Sequence, residues 1–170
     1  MATKWNLDPT HSEITFKVKH MMISNVKGSF RNFTAEIEAD DDTFKNAKTT
    51  ATIHTDSVFT NNADRDNHLK SPEFFNAEEH PTITFESQAL NDQVTGNLTI
   101  NGITKPVTLN VNFGGINVDP WGNTKAGFSF DGKINRKDFG LNWNAALEAG
   151  GVMVSDEVKI EGELEFTKQA

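Results

Sequence analysis

Apolar and polar residues alternate one by one along most of this chain. A period of two is the signature of a β-strand with one greasy face and one wet face. Ile14, Phe16, Val18 and His20 fall on one side of a segment whose other side is Thr15, Lys17 and Lys19. Phe33, Ala35, Ile37 and Ala39 alternate with Thr34, Glu36 and Glu38, while Ala47, Thr49, Ala51 and Ile53 share a face. Ile83 goes with Phe85 in the same way. Leu98 and Ile100 lead into Asn101-Gly102, a pair that supplies both positive φ angles of a type I′ hairpin turn. Pro106 then reads as the first residue of a return strand carrying Val107, Leu109, Val111 and Phe113 inward. Ala126, Phe128 and Phe130 share a face, and Val158, Ile160, Gly162, Leu164 and Phe166 alternate with Lys159, Glu161, Glu163 and Glu165.

These segments amount to about eight strands, each with one face for water, and such strands build antiparallel sheets. A sheet whose apolar faces all point one way closes on itself, and eight strands enclose just enough room for one small ligand. The expected fold is therefore all-β, a single eight-stranded antiparallel barrel over residues 1–170. Phe30 is out of phase with Phe33, which a β-bulge near Asn32 would reconcile. Gly162 in the inward row marks a bend or a close approach to the backbone, and Gly114-Gly115 reads as a turn. Residues 61–76, interrupted by Pro72, and residues 141–151, ending at Gly150-Gly151, break the alternation and read as one or two short helices. They carry Leu69, Phe74 and Phe75, and Leu141, Trp143 and Leu147, as plugs or lids for a barrel end.

Aromatic bulk comes from 13 Phe and 3 Trp with no Tyr, which suits a greasy interior better than a polar cleft. The formal net charge is −8 with no run of Lys or Arg, so no nucleic-acid partner is expected. The absence of Cys excludes disulfides, thiolate nucleophiles and thiolate metal sites. No stretch approaches the roughly 20 apolar residues of a membrane-spanning helix, so an integral membrane protein is not expected. Met1-Ala2-Thr3-Lys4-Trp5-Asn6-Leu7-Asp8 has no apolar run of the secretory kind, which makes the cytoplasm the expected compartment.

Ordered motifs run nearly end to end. They begin with Trp5-Asn6-Leu7-Asp8-Pro9-Thr10-His11-Ser12, Phe16-Lys17-Val18-Lys19-His20 and Val26-Lys27-Gly28-Ser29-Phe30. Asn61-Asn62-Ala63-Asp64-Arg65-Asp66-Asn67-His68-Leu69, Ser71-Pro72-Glu73-Phe74-Phe75 and His80-Pro81-Thr82-Ile83-Thr84-Phe85-Glu86-Ser87 follow. Gly96-Asn97-Leu98-Thr99-Ile100-Asn101-Gly102-Ile103-Thr104-Lys105-Pro106-Val107 and Asn135-Arg136-Lys137-Asp138-Phe139-Gly140-Leu141 complete the set. In these the chain resembles the YceI-like family of lipocalin-like, lipid-binding proteins. The resemblance implies an eight-stranded barrel extended along its axis, with a long apolar pocket for a polyisoprenoid or fatty-acyl lipid. It also implies a homodimer, since members are often dimeric. Many members are periplasmic with a cleaved leader, a pattern this sequence does not share.

The candidate ligand-binding residues follow from the inward rows and the two helical segments. They are Phe16, Val18, His20, Phe30 and Phe33 from the first half, with Phe74, Phe75, Ile83 and Phe85 from the centre. Ile100, Leu109, Val111, Phe128, Phe130, Phe139, Leu141 and Trp143 complete them. The favoured reading is a non-catalytic carrier or sequestering protein, with no catalytic residue, metal ligand or cofactor assigned. The competing reading is a hydrolase or isomerase of a small apolar substrate that uses His20 or the Asp66/His68 pair. Arg65 and Asp66 also fit a structural role, anchoring a loop through charge-assisted bonds. The five His residues show neither His-x-His nor His-Glu-x-x-His spacing. Asp8, His11 and Ser12 form a superficial triad, but adjacent residues of a strand point to opposite faces.

Overall fold

The computed structural model describes residues 3–21, 23–90, 92–141 and 154–169. The strands are β1 (Thr3–Leu7), β2 (Glu13–His20), β3 (Ser24–Phe30), β4 (Phe33–Ala39), β5 (Lys48–His54) and β6 (Val58–Phe59). After the single α-helix, α1 (Ala63–Lys70), come β7 (Thr82–Ser87), β8 (Gln93–Ile100), β9 (Ile103–Val118), β10 (Thr124–Asn135) and β11 (Val154–Lys168). All pairings are antiparallel, in the order β1-β4-β5-β7-β8-β9-β10-β11, and β11 returns to β1 to close an eight-stranded ring.

The remaining short strands are continuations of ring strands. β1 and β2, β3 and β4, and β5 and β6 are each one long strand broken at a common level. The breaks are a 3-10 turn at Pro9–His11, a bend at Arg31 and Asn32, and a 3-10 turn at Thr55–Ser57. Backbone groups freed by the second and third breaks bond to each other, Arg31 N–H to Ser57 O (3.1 Å) and His54 N–H to Asn32 O (3.0 Å). Beyond this level β2, β3 and β6 run on from β11 as a three-stranded flap, and β6 ends the sheet. α1 packs against β6 at that edge.

Several expectations change here. Phe30 and Phe33 belong to different strands, β3 and β4, so the bend at Arg31 and Asn32 reconciles them and no bulge is needed. Gly114-Gly115 is not a turn. Gly127 pairs with Gly115 and Phe128 with Phe113, so Gly114 is the extra residue of a bulge and β9 continues to Val118. The return strand starts at Ile103, before Pro106. Val111 N–H bonds Asp92 O, which sets the register so that Pro106 turns its nitrogen away from β8, beyond Asn110, the last residue that β10 reaches. The Asn101-Gly102 turn is as expected, with φ of 55° and 76°. Trp121, in the loop between β9 and β10, stands 83% exposed. The segment 142–153, with Trp143 and Leu147, lies outside the described residues.

Inside, two apolar clusters stack along the axis. Trp5, Ile37, Phe44, Ala126, Phe128 and Phe166 plug one end, with Phe44 edge-on to Trp5 and Phe128 at 5.2 Å each. The larger cluster, containing Phe30, Ile53, Ile83, Leu98, Leu109 and Phe139, lines the remainder. No helix among the described residues is long and apolar enough to cross a membrane. The outward positions of β11 hold Lys159, Glu161, Glu163 and Glu165, where a membrane barrel would carry an apolar band.

Candidate ligand cavity

The inward rows of the barrel enclose a cavity of about 600 Å³. Its wall on β11 runs from Val154 to Phe166, a rise of about 40 Å at ~3.3 Å per residue, so the space is long and narrow. Ile37, Phe128 and Phe166 form the floor, above the aromatic plug. At the opposite end the lining reaches exposed Lys19, Asn62 and Asp64, between the flap and α1.

A barrel this rich in phenylalanine stays hollow because its rings lie along the wall. Phe16 faces Gly28 across β2 and β3, and Phe130 faces Gly162 across β10 and β11. A Cβ on Gly28 would sit 2.2 Å from the Phe16 ring, and one on Gly162 would sit 2.0 Å from Phe130. Gly96 gives Phe85 the same room and Gly132 does so for Leu109, with would-be Cβ contacts of 2.5 and 2.7 Å. None of these four glycines has a positive φ, so what each supplies is space. Gly162 thus serves as the close-approach position its place in the inward row suggested.

The cavity wall takes in most of the candidate ligand-binding residues. From the flap and α1 region come Phe16, Val18, His20, Phe30, Phe74 and Phe75; from the ring strands come Ile83, Phe85, Ile100, Leu109, Val111, Phe128 and Phe130; and Leu141 comes from the segment after β10. Phe33 and Phe139 pack in the core outside that wall, and Trp143 lies outside the described residues. The candidate ligand-binding set omits Ile37 and Leu164, which alternation places on inward rows, and also Leu90, Val94 and two hydroxyls of the lining, Thr49 and Ser87. Alternation marks Thr49 as inward, but nothing in a linear pattern marks an inward hydroxyl as unpartnered.

His20 lines the cavity, whereas the other polar candidates are engaged in holding the fold. Asp66 is buried, and its Oδ1 accepts from the Thr60 N–H (2.8 Å) and hydroxyl (2.5 Å). Arg65 donates to Thr60 Oγ1 (2.8 Å) and Thr60 O (2.6 Å). Together they clamp α1 to the end of β6. The helix needs this, because its sequence is almost wholly polar and Asp66 is its one buried residue. His68 pairs instead with Glu73 and packs edge-on against Phe74, at 5.0 Å between centroids. Arg136 is 3% exposed and donates to Ser155 O (2.9 Å), Leu141 O (2.5 Å) and Val154 O (3.3 Å). Burial pushes its pKa down and Asp156 partly restores it.

At the first break, Ser12 Oγ donates to Asp8 O (2.7 Å) and accepts from Glu165 N–H (3.0 Å), so it is tied to backbone and not to His11. Asp8, His11 and Glu165 offer ligand atoms within 4.8 Å of one another, but Lys125 Nζ already neutralises Asp8 at 3.0 Å. The Thr10 hydroxyl and then His11 hold the Asp8 carboxyl well below the usual carboxylate range, with Lys125 adding to them. The Asp8 hydrogen bond and charge, with Glu165, raise His11. A depressed Asp8 stabilises the fold above its ordinary 3.8, and this is lost as pH falls toward the folded value. A raised His11 stabilises it below its ordinary 6.5, and this is lost as pH climbs through the higher folded value. The Tm gap between the wild type and Asp8→Asn is therefore expected to be widest between about pH 4 and 6.5. Thermal melts across pH 2.5–9 check this, and a gap independent of pH would contradict it.

Comparison with known proteins matches residues 5–166 to the model of the YceI-like domain family. A UPF0312 protein of Staphylococcus epidermidis is 45% identical over 167 residues, which cover 97% of this chain and 98% of that one. A crystal structure of the Campylobacter jejuni YceI protein, 35% identical, superposes with a TM-score of 0.75 over 89% of this chain and 90% of that one. A polyisoprenoid-binding domain from Saccharophagus degradans, implicated in plant cell wall breakdown, shares the fold at 15% identity, with a TM-score of 0.73 over 97% and 98% of the two chains.

Proposed function

The chain belongs to the YceI-like family, and from that premise we propose that its barrel binds and carries, or sequesters, one long apolar chain without transforming it. The observation that carries this reading is the hollow itself: a narrow, apolar space kept open by glycines beneath the rings. At about 30 Å³ per heavy atom, 600 Å³ accommodates roughly 20 carbons, or about four isoprene units. Burying that many methylenes contributes on the order of 16 kcal/mol before the costs of association, which leaves room for firm binding. The polyisoprenoid-binding neighbour from Saccharophagus degradans supports a branched isoprenoid over a straight acyl chain. A non-catalytic role fits the engagement of Asp66 with Thr60 and of His68 with Glu73, which separates the acid and base a hydrolase or isomerase would need to couple.

Native mass spectrometry of the protein as purified, followed by solvent extraction, tests this. One hydrophobic molecule per barrel, of about 20 carbons in its buried part, is the expected result. The reading fails if no preparation yields such a compound and the protein takes up neither a fluorescent prenyl probe nor a fatty-acyl probe.

A further inference from the structure

Near the floor of the cavity, Ile37, Thr49 and Ser87 lie side by side across β4, β5 and β7. Thr49 and Ser87 are direct cross-strand partners and both line the cavity. Their hydroxyl oxygens are buried, and neither has a hydrogen-bond partner among the described residues. Ser87 as a whole is 4% exposed. A buried hydroxyl normally finds a partner, and an unmet one weighs against the fold. Two of them, adjacent and facing the same apolar space, mark a place where something other than the described residues supplies the partner.

We propose that Thr49 and Ser87 form a polar seat at the blind end of the cavity, which receives the uncharged oxygen-bearing end of the ligand, a hydroxyl or a carbonyl. This deepens the lipid-binding reading and rests on it. The ligand enters end-group first and its hydrocarbon tail extends toward the flap and α1. A charged end does not suit the seat. Its neighbours in the lining are Ile37, Leu90 and Val94, whereas the cationic lining residues, Lys19, Arg65 and Arg136, belong to the far end. A phosphate or carboxylate placed at the floor would be buried without a counter-charge. Two hydroxyls can donate to one carbonyl oxygen, or one can donate to an alcohol while the other accepts from it.

The test compares three probes of matched tail in competition with a bound fluorescent prenyl probe: geranylgeraniol, the same hydrocarbon without its oxygen, and geranylgeranyl diphosphate. Each is titrated into the wild type and into Thr49→Val/Ser87→Ala, which keeps the side-chain volumes nearly unchanged. The expected result is a preference for the alcohol over the hydrocarbon of about tenfold in the wild type, the worth of about one net hydrogen bond. In the double variant that ratio falls to about twofold, with hydrocarbon affinity unchanged and Tm equal or higher, since two unmet hydroxyls are gone. Equal binding of alcohol and hydrocarbon by the wild type overturns the seat and leaves lipid binding intact. So does an alcohol preference that survives in the variant, a diphosphate that binds tightest, or a large loss of Tm showing that the hydroxyls have a structural partner. Failure of all three probes to bind the wild type removes the lipid-binding reading and the seat with it.

Discussion

Replacing Gly162 with valine is expected to cost the protein most of its capacity for a long ligand while leaving it folded. The Cβ would be 2.0 Å from Cε1 of Phe130, its direct cross-strand neighbour. β11 at Gly162 has no positive φ, so the backbone accepts valine and the conflict is all in the side chains. The ring has wall behind it and free space in front, so it swings into a lumen of about 600 Å³. Overpacking of this kind destabilises by about 1–3 kcal/mol. At ~2–4 °C per kcal/mol for a chain of this size, Tm should fall by about 2–12 °C. Affinity for a 20-carbon prenyl alcohol should fall by more than tenfold, because the ring now occupies the tail's path. Adding Phe130→Ala to Gly162→Val removes the ring and should recover binding, giving a double-mutant cycle with strong coupling. Unchanged affinity in Gly162→Val, or no recovery in the double variant, would show that the ring's place on the wall does not keep the channel open.

Much of the architecture is legible in the residues because a half-wet strand writes its orientation into alternate positions. β4 at 33–39 and β7 at 82–87 follow directly from alternation, as does the Asn101-Gly102 hairpin. The breaks are harder to read. Pro9 announces the first, but Arg31-Asn32 and Thr55–Ser57 carry no proline or glycine. They are set by hydrogen bonds between neighbouring breaks, which only the pairing reveals. β1 was passed over because Trp5 is the one buried residue in a strand of five, too short to establish a period.

The cavity's apolar wall was legible for the same reason, and what keeps it hollow was not. Gly28, Gly96 and Gly132 read as weak points in their strands until register sets Phe16, Phe85 and Leu109 against them. Surface charge behaves likewise. Lys27, Lys17, Lys159 and Lys133 are scattered in sequence, yet they stand in one cross-strand row over β3, β2, β11 and β10. Glu161 and Asp131 occupy the next row on the same face, so the lysines form a narrow band. Thr49 and Ser87, 38 residues apart, become a pair only through β5 and β7. Properties that depend on which strand lies beside which are invisible to a pattern read along a single strand.

Arg136→Met should be the most damaging single change at the open end of the barrel. The guanidinium is buried, and its donors hold the carbonyl of Leu141 and those of Val154 and Ser155. One group thus ties Leu141, beyond the end of β10, to Val154 and Ser155 at the start of β11, and both Leu141 and Val154 line the cavity. Methionine fills much of the volume but donates nothing, and losing such a charge-assisted bond costs about 1–3 kcal/mol where it is buried, as at Leu141 O, and less where it is part-buried, as at Ser155 O and Val154 O. The loss of about 3–5 kcal/mol corresponds to a fall in Tm of about 6–20 °C at this chain length. Lysine should restore only part of it, because an ammonium is a point donor and cannot span three carbonyls as a planar fork does. Ligand should also dissociate faster from Arg136→Met than from the wild type, since the freed carbonyls belong to the wall of the entrance. Thermal melts together with dissociation kinetics of a fluorescent prenyl probe decide the matter. A Tm within 2 °C of wild type, or a full rescue by lysine, would mean that the fork geometry is not what holds this end of the barrel together.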